Sequence, residues 1–211
     1  MKMRKFWPLL MAGSVGAMGL SSASAESFQL LVGSYTAGAS QGIYRMSFDS
    51  ATGQIEAKPL QVVKSENPSW LTLSKDQKRL FVVNENGPGQ TDPVGRVSSY
   101  AIDPKTHALS LINQVQSLGN EPTHSSLSHD ASHLFVSNYS VMEDPGGTLA
   151  VLPVGADGKL KPVVQMSAHP ASRVNPERQA SNHVHSTISS PDGRYVFSND
   201  LGADKVFIYQ F

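Results

Sequence analysis

Two histidines separated by one residue, His183 and His185, are the side chains of this sequence best suited to acid–base chemistry. They lie in an alternating apolar and polar stretch, and alternate residues of a β-strand face the same side, so both imidazoles are predicted to share one surface. A neutral imidazole can take a proton from water, as the hydrolysis of an ester requires. Arg178, a few residues upstream, has a planar guanidinium that suits a carboxylate or hydroxyl groups. We predict His185, as first choice, and His183 as catalytic residues and Arg178 as a substrate-binding residue.

Two other interpretations of the histidine pair remain open. Both imidazoles could make structural hydrogen bonds across the turn of their unit. They could also form half of a metal site, because imidazole and carboxylate groups both bind divalent metals. The nearest acids are Glu177, Asp192 and Asp200, of which the last two have simpler roles in turns. We predict neither a metal nor a cofactor.

The histidine pair belongs to a sequence unit that occurs three times. With Leu73, Leu127 and Ile188 aligned, the copies are 54 and then 61 residues apart. The alignment superposes three further sets: Trp70, His124 and His185; Leu80, Leu134 and Tyr195; and Asn84, Asn138 and Asn199. A repeat of about this period indicates an architecture of stacked units.

The aligned positions supply two more candidate residues. The position shared by Trp70, His124 and His185 is predicted to face the interior of the assembly in every unit. His124 is accordingly a candidate for substrate binding, whereas Trp70 is interpreted as a packing residue. Glu85 follows the second strand of its unit and is predicted to lie at the mouth of the same interior, as a further substrate-binding candidate.

The segments that must position these residues are short strands. Residues 28–211 divide into four units with three, four, four and three strands, and helical periodicity is confined to the N-terminal apolar stretch. Units of four strands and about fifty residues are typical of a β-propeller. An ordinary β-sandwich with accidental similarity is the alternative, although three copies in register are hard to obtain by chance. The prediction is an all-β chain forming an incomplete β-propeller, whose first and last units each lack one strand.

Residues 1–25 have the three parts of a secretory signal peptide: a basic start, an apolar stretch at 6–20 and Ala-Ser-Ala at 23–25. The predicted domains are therefore a signal peptide (1–25) and a partial propeller (26–211), in a periplasmic or secreted protein with no other membrane contact. The 17 basic and 17 acidic residues form no basic stripe, which argues against nucleic acid. Without cysteine, neither disulfides nor thiolate zinc sites can form.

The sequence contains five distinctive short motifs: Gly33–Thr36, Asn84–Asn86, Pro122–His124, Ser137–Tyr139 and Arg178–Asp204. They resemble those of the lactonase family of seven-bladed β-propellers, which includes 6-phosphogluconolactonases and carboxy-muconate lactonising enzymes. The resemblance spans residues 28–211, which would be about the N-terminal half of a member, or about four of seven blades. It implies hydrolysis of an intramolecular ester at the mouth of the central channel, with His185 or His183 as the family's histidine. The partner Arg and Glu of the family would follow residue 211.

The resemblance leaves three functions open. The first is a lactonase acting on a small sugar-acid lactone, as 6-phosphogluconolactonases do; export and the lack of a dense Arg/Lys cluster favour an unphosphorylated aldonolactone. The second is a muconate-type lactonising enzyme that uses the same His and Arg. The third is a non-catalytic binding propeller of the cell envelope. An incomplete ring would leave blade faces unpacked, so we also expect self-association or low stability of this chain alone.

Overall fold

The computed structural model describes residues 27–142 and 146–211, so the predicted signal peptide lies outside the described part. Within that part the chain forms 15 β-strands and no α-helix, which confirms the all-β prediction. No described segment is therefore a helix of the length and hydropathy that a membrane span requires. The strands are β1 (Ser27–Gly33), β2 (Gly42–Asp49), β3 (Gln54–Ile55), β4 (Gln61–Lys64), β5 (Pro68–Leu73), β6 (Arg79–Asn84), β7 (Arg96–Ile102), β8 (Leu109–Gln116), β9 (Pro122–Leu127), β10 (His133–Asn138), β11 (Thr148–Pro153), β12 (Gln165–Ser167), β13 (Val184–Ser189), β14 (Tyr195–Asp200) and β15 (Lys205–Gln210).

The strands pair into four antiparallel sheets, one for each predicted unit. The second and third sheets follow the orders β5-β6-β7-β8 and β9-β10-β11-β12, and the fourth contains β13-β14-β15. In the first sheet, both β3 and β4 pair with β2. The outer strand of this sheet is therefore divided into two short strands. Pro59 lies between them, and proline has no N–H to continue a ladder.

Neighbouring sheets pack face to face, and a hydrophobic core fills each of the three spaces between them. Leu80 and Phe81 of β6 belong to different cores because alternate residues of a strand face opposite sides. In the same way, Leu134 and Phe135 of β10 face the second and the fourth sheet respectively. Each sheet thus buries its apolar side chains only against its neighbours, as consecutive propeller blades do.

A Ser-x-Asp turn joins the first two strands of the second, third and fourth sheets. The serine Oγ donates to the aspartate two residues later and accepts the backbone N–H five residues later, at 2.6–3.0 Å. The three serines are Ser74, Ser128 and Ser190, which are 54 and then 62 residues apart. The predicted spacing of 61 residues for the fourth unit is therefore wrong by one.

The corrected register changes which residues are equivalent in the fourth sheet. Val196, not Tyr195, takes the position of Leu80 and Leu134 in the core. Val196 is 2% exposed, whereas Tyr195 is 39% exposed. A slip of one residue reverses the face of every side chain in a strand, so the correction also affects the candidate site.

Each inner strand contains a β-bulge near its start, at Ser69 in β5, Thr123 in β9 and His185 in β13. His185 is therefore the equivalent of Ser69 and Thr123. Ser186 occupies the position of Trp70 and His124. The predicted equivalence of His185 with Trp70 and His124 is wrong. Because the bulge interrupts the regular alternation, His183 and His185 are not constrained to one face of the strand.

Candidate functional site

The loops at the start of the inner strands form one end of the sheets, which we call the rim. The backbone N–H groups of Glu85, Tyr139 and Leu201 donate to the carbonyls of Asn67, Glu121 and His183, at 2.9 Å in each case. The rim is defined by these six residues. The repeat thus places two predicted residues, Glu85 and His183, at the same end of the fold. It also adds Glu121 and Tyr139, which were not predicted as site residues.

Tyr139 brings three of the predicted residues together. Its ring stacks on His183, with centroids 4.7 Å apart and planes inclined by 13°. The centroid of the His185 ring lies 5.9 Å from that of the same ring, with the planes inclined by 84°. Its phenol oxygen accepts a hydrogen bond from Nη2 of Arg178 at 3.1 Å. Because the oxygen is the acceptor in that bond, the phenol hydrogen is available to a substrate oxygen.

The imidazole of His183 is held in one tautomer. Its Nδ1 lies 3.0 and 2.6 Å from the carbonyl oxygens of Tyr139 and Ser140. A carbonyl can only accept, so Nδ1 carries the proton and the neutral ring keeps an unprotonated Nε2. The residue is 8% exposed, and no described residue forms a hydrogen bond with Nε2. The lone pair of this nitrogen is therefore available to take a proton.

His185 is more loosely held than His183. Its side chain is exposed, and its backbone carbonyl accepts a hydrogen bond from Oγ1 of Thr123 at 3.1 Å. That bond joins the bulges of β9 and β13. The bulge therefore turns this imidazole toward Tyr139 without fixing its tautomer.

Two carboxylates, Glu85 and Glu121, lie at the rim beside Tyr35. Burial raises the pKa of the Glu121 carboxyl; the Val141 N–H, 2.7 Å from Oε2, opposes this, while the charge of Glu85 adds to it. Burial also raises the pKa of Tyr35 to about 12, and its hydrogen bond to Glu85 acts in the same direction. The rim therefore combines two carboxylates with the Arg178 guanidinium, which contacts Tyr139.

His124 and Trp70 lie further along the inner strands, away from the rim. Their ring centroids are 4.3 Å apart, and the indole N–H donates to the carbonyl of Ser125 at 3.1 Å. Burial, with a smaller effect from the charge of His185, lowers the pKa of His124 to about 4. His124 is therefore neutral near pH 7, and its Nδ1 accepts the backbone N–H of Thr187 at 3.3 Å. These contacts join three consecutive inner strands.

The buried carboxylate of Asp200 holds the backbone of His183 in place. Its Oδ1 accepts the backbone N–H groups of His183 and Ala203 at 2.8 and 2.9 Å. Its Oδ2 lies 2.7 Å from Nδ1 of His169, whose Nε2 lies 2.6 Å from the hydroxyl of Tyr209. Burial alone would raise the pKa of Asp200, but these hydrogen bonds bring it below its ordinary value.

The acids considered as metal ligands have other partners or positions. Asp192 lies in the Ser-x-Asp turn at the far end of β13, where Ser190 and Arg194 donate to it. Asp200 is engaged by His169 and two backbone amides. Among residues 27–142 and 146–211, no cluster of three or more histidine and carboxylate side chains is arranged to hold a metal ion.

Comparison with known proteins defines the class. The family model described as "Lactonase, 7-bladed beta-propeller" matches residues 29–211. The chain belongs to this family, and the resemblance and the partial-propeller fold are confirmed.

Individual relatives are similar over about half of their own length. The 6-phosphogluconolactonase of Bacillus subtilis is 31% identical over 179 residues, which are 85% of this chain and 48% of that protein. Among solved structures, the periplasmic gluconolactonase PpgL of Pseudomonas aeruginosa is 56% identical with a TM-score of 0.84, over 88% of this chain and 50% of that one. A putative 6-phosphogluconolactonase from Bacteroides uniformis is 34% identical with a TM-score of 0.78, and the match again covers 88% of this chain and 50% of that one. The chain thus spans about half the length of the relatives it matches.

Proposed function

We propose that this protein hydrolyses a small sugar-acid lactone at the rim. The observation that carries the proposal is the fixed tautomer of His183, which presents an unprotonated Nε2 beside Tyr139 and Arg178. Membership of the lactonase family supports it, as does the similarity to a 6-phosphogluconolactonase and to a periplasmic gluconolactonase.

The proposed reaction needs one base and one set of donors. Nε2 of His183 takes a proton from water, whose oxygen attacks the lactone carbonyl carbon. The guanidinium of Arg178 and the phenol hydrogen of Tyr139 stabilise the oxyanion that forms. The bond between the carbonyl carbon and the ring oxygen then breaks, and the ring oxygen receives the proton held by Nε2. The product is the open-chain hydroxy acid.

We propose an unphosphorylated aldonolactone as the substrate. Glu85 and Glu121 put two carboxylates at the rim, and a phosphate dianion there would meet repulsion. A dicarboxylate would meet the same repulsion, which disfavours the muconate-type reaction. The similarity to a periplasmic gluconolactonase and the signal-like residues 1–25 support a periplasmic location for this reaction.

The proposal is tested by the hydrolysis of D-glucono-1,5-lactone and of its 6-phosphate, measured as acid release above the uncatalysed rate. His183→Asn keeps an N–H donor near the carbonyls of Tyr139 and Ser140 but removes Nε2. We expect a loss in kcat/KM of about 100-fold or more. The matched variant His185→Asn should lose far less. Preference for the phosphorylated lactone would contradict the substrate assignment.

Three other results would overturn the assignment of the base. A larger loss in His185→Asn than in His183→Asn would make His185 the base. Activity that a chelator abolishes and a divalent metal restores would favour the metal interpretation of the histidine pair. Acid release no faster than the uncatalysed rate in the unchanged protein would favour a binding propeller without catalysis.

A further inference from the structure

Trp70 presents an apolar ring to solvent although its polar group is already satisfied. The residue is 42% exposed, while its indole N–H is bonded to the Ser125 carbonyl in the neighbouring sheet. What remains exposed is therefore the aromatic surface itself. Tryptophan with a satisfied N–H is normally covered by other side chains, because its large apolar surface is stabilised by burial.

The indole ring is also held in a fixed orientation. His124 lies against it with a centroid distance of 4.3 Å and an angle of 39°. Oγ1 of Thr72, two residues further along β5, donates to the same Ser125 carbonyl at 2.8 Å. A ring fixed before a ligand arrives loses little conformational entropy on binding, which is the property of an effective contact surface.

His124 supplies a directed, uncharged donor beside that ring. Its Nδ1 accepts the Thr187 N–H, and a backbone N–H can only donate, so in the neutral imidazole the proton lies on Nε2. The ring is half-buried, and Nε2 forms no hydrogen bond with a described residue, so Nε2–H is available as a donor. It lies three residues beyond Glu121 along the chain, about 10 Å of extended strand from the rim.

We propose that Trp70 and His124 form a monosaccharide-binding subsite, in which the indole ring packs on the C–H face of a sugar ring and Nε2–H of His124 donates to one of its oxygens. A pyranose or a sugar lactone offers this combination of an apolar face and hydroxyl edges. A charged ligand would not find a counter-ion in this pair. The subsite deepens the proposed function, on which it rests, because it would hold the sugar ring of a lactone so that its carbonyl faces the rim.

Intrinsic fluorescence tests the subsite without any turnover. The chain has two tryptophans, Trp7 and Trp70, so Trp7→Phe leaves Trp70 as the sole reporter. Methyl β-D-glucoside, which cannot be hydrolysed as a lactone, should change the emission in a saturable way. Sorbitol, with hydroxyls but no ring face, should not. A response to glucoside no different from that to sorbitol would overturn the proposal.

Substitutions separate the donor from the ring. His124→Leu should weaken glucoside binding about tenfold, as expected for the loss of one hydrogen bond. His124→Gln keeps a donor near the position of Nε2 and should restore most of it. Trp70→Ala should raise KM for gluconolactone with little change in kcat, whereas Tyr195→Ala, at an exposed aromatic residue outside the site, should leave both unchanged. Equal KM values in Trp70→Ala and the unchanged protein would refute the subsite.

The two proposals can fail separately. Saturable glucoside binding without lactone hydrolysis would keep the subsite and reject the function. Lactone hydrolysis that needs His183 but has the same KM after His124→Leu and Trp70→Ala would keep the function and reject the subsite.

Discussion

Replacement of Asp200 tests whether one buried carboxylate holds the candidate base in place. Asp200 accepts three hydrogen bonds at 2.7–2.9 Å, from the backbone of His183 and Ala203 and from the ring of His169. Asp200→Ala leaves three buried donors without an acceptor. At about 1–3 kcal/mol each, reduced by relaxation and water entry, the loss in free energy of unfolding should be about 3–5 kcal/mol.

Asp200→Asn should be much milder, for a structural reason. The amide oxygen can still accept both backbone N–H groups, and the amide nitrogen can donate to His169 if that ring changes its tautomer. The Tyr209 hydroxyl can then accept from Nε2 instead of donating to it. We expect a loss of about 1–2 kcal/mol.

Urea unfolding monitored by far-UV circular dichroism measures both losses. Glu177→Ala, at an exposed carboxylate, is the control and should change the free energy of unfolding by less than about 0.5 kcal/mol. Equal losses in Asp200→Ala and Asp200→Asn would refute the tautomer argument. A loss below about 1 kcal/mol in Asp200→Ala would refute the anchoring role.

Three further predictions concern register, acid stability and association. In urea unfolding, Val196→Asp should destabilise the chain by more than about 3 kcal/mol and Tyr195→Asp by less than about 1 kcal/mol. The opposite order would favour the register in which Tyr195 occupies the core position. The pKa of Asp200 is lowered on folding, so its stabilisation is complete above its unfolded pKa of about 4 and is lost as pH falls through the lower folded value. The urea concentration at the unfolding midpoint should therefore decrease as the pH is lowered below about 4, and it should decrease less steeply in Asp200→Asn. Parallel pH profiles of the two proteins would contradict the assignment. Val206 and Ile208 are 58% and 63% exposed on β15, so the chain should associate as its concentration rises and Ile208→Lys should reduce this; light scattering that shows a monomer throughout would contradict it.

The fold was predictable because its signals are local and repeated. Apolar alternation and turns recur within each unit, and these determine strands, pairing and stacking. The error of one residue in the fourth unit arose from matching residue types, because Ser198-Asn199 is identical to Ser137-Asn138. The pattern of burial instead selects the register that aligns Asn138 with Asp200. In β14, Val196, Ser198 and Asp200 are the buried residues.

The candidate site was predictable in its residue types and not in its arrangement. His183, Arg178 and Glu85 stand out by chemistry, but Tyr139 has no feature that ranks it above other aromatic residues. The tautomer of His183 depends on carbonyls 43 and 44 residues away, and local sequence does not report such contacts. Membership of the Ser137–Tyr139 motif was the available signal for Tyr139.

The bulges at Ser69, Thr123 and His185 have a consequence for adaptation. A bulged residue stands outside the pairing ladder, so exchanging its side chain leaves the faces of its neighbours unchanged. These three matched points of the scaffold can therefore vary in chemistry while the blades keep their shape, provided that residue 123 keeps a hydroxyl to bond the His185 carbonyl. In a laboratory evolution experiment, a library restricted to these points should retain a high share of folded members.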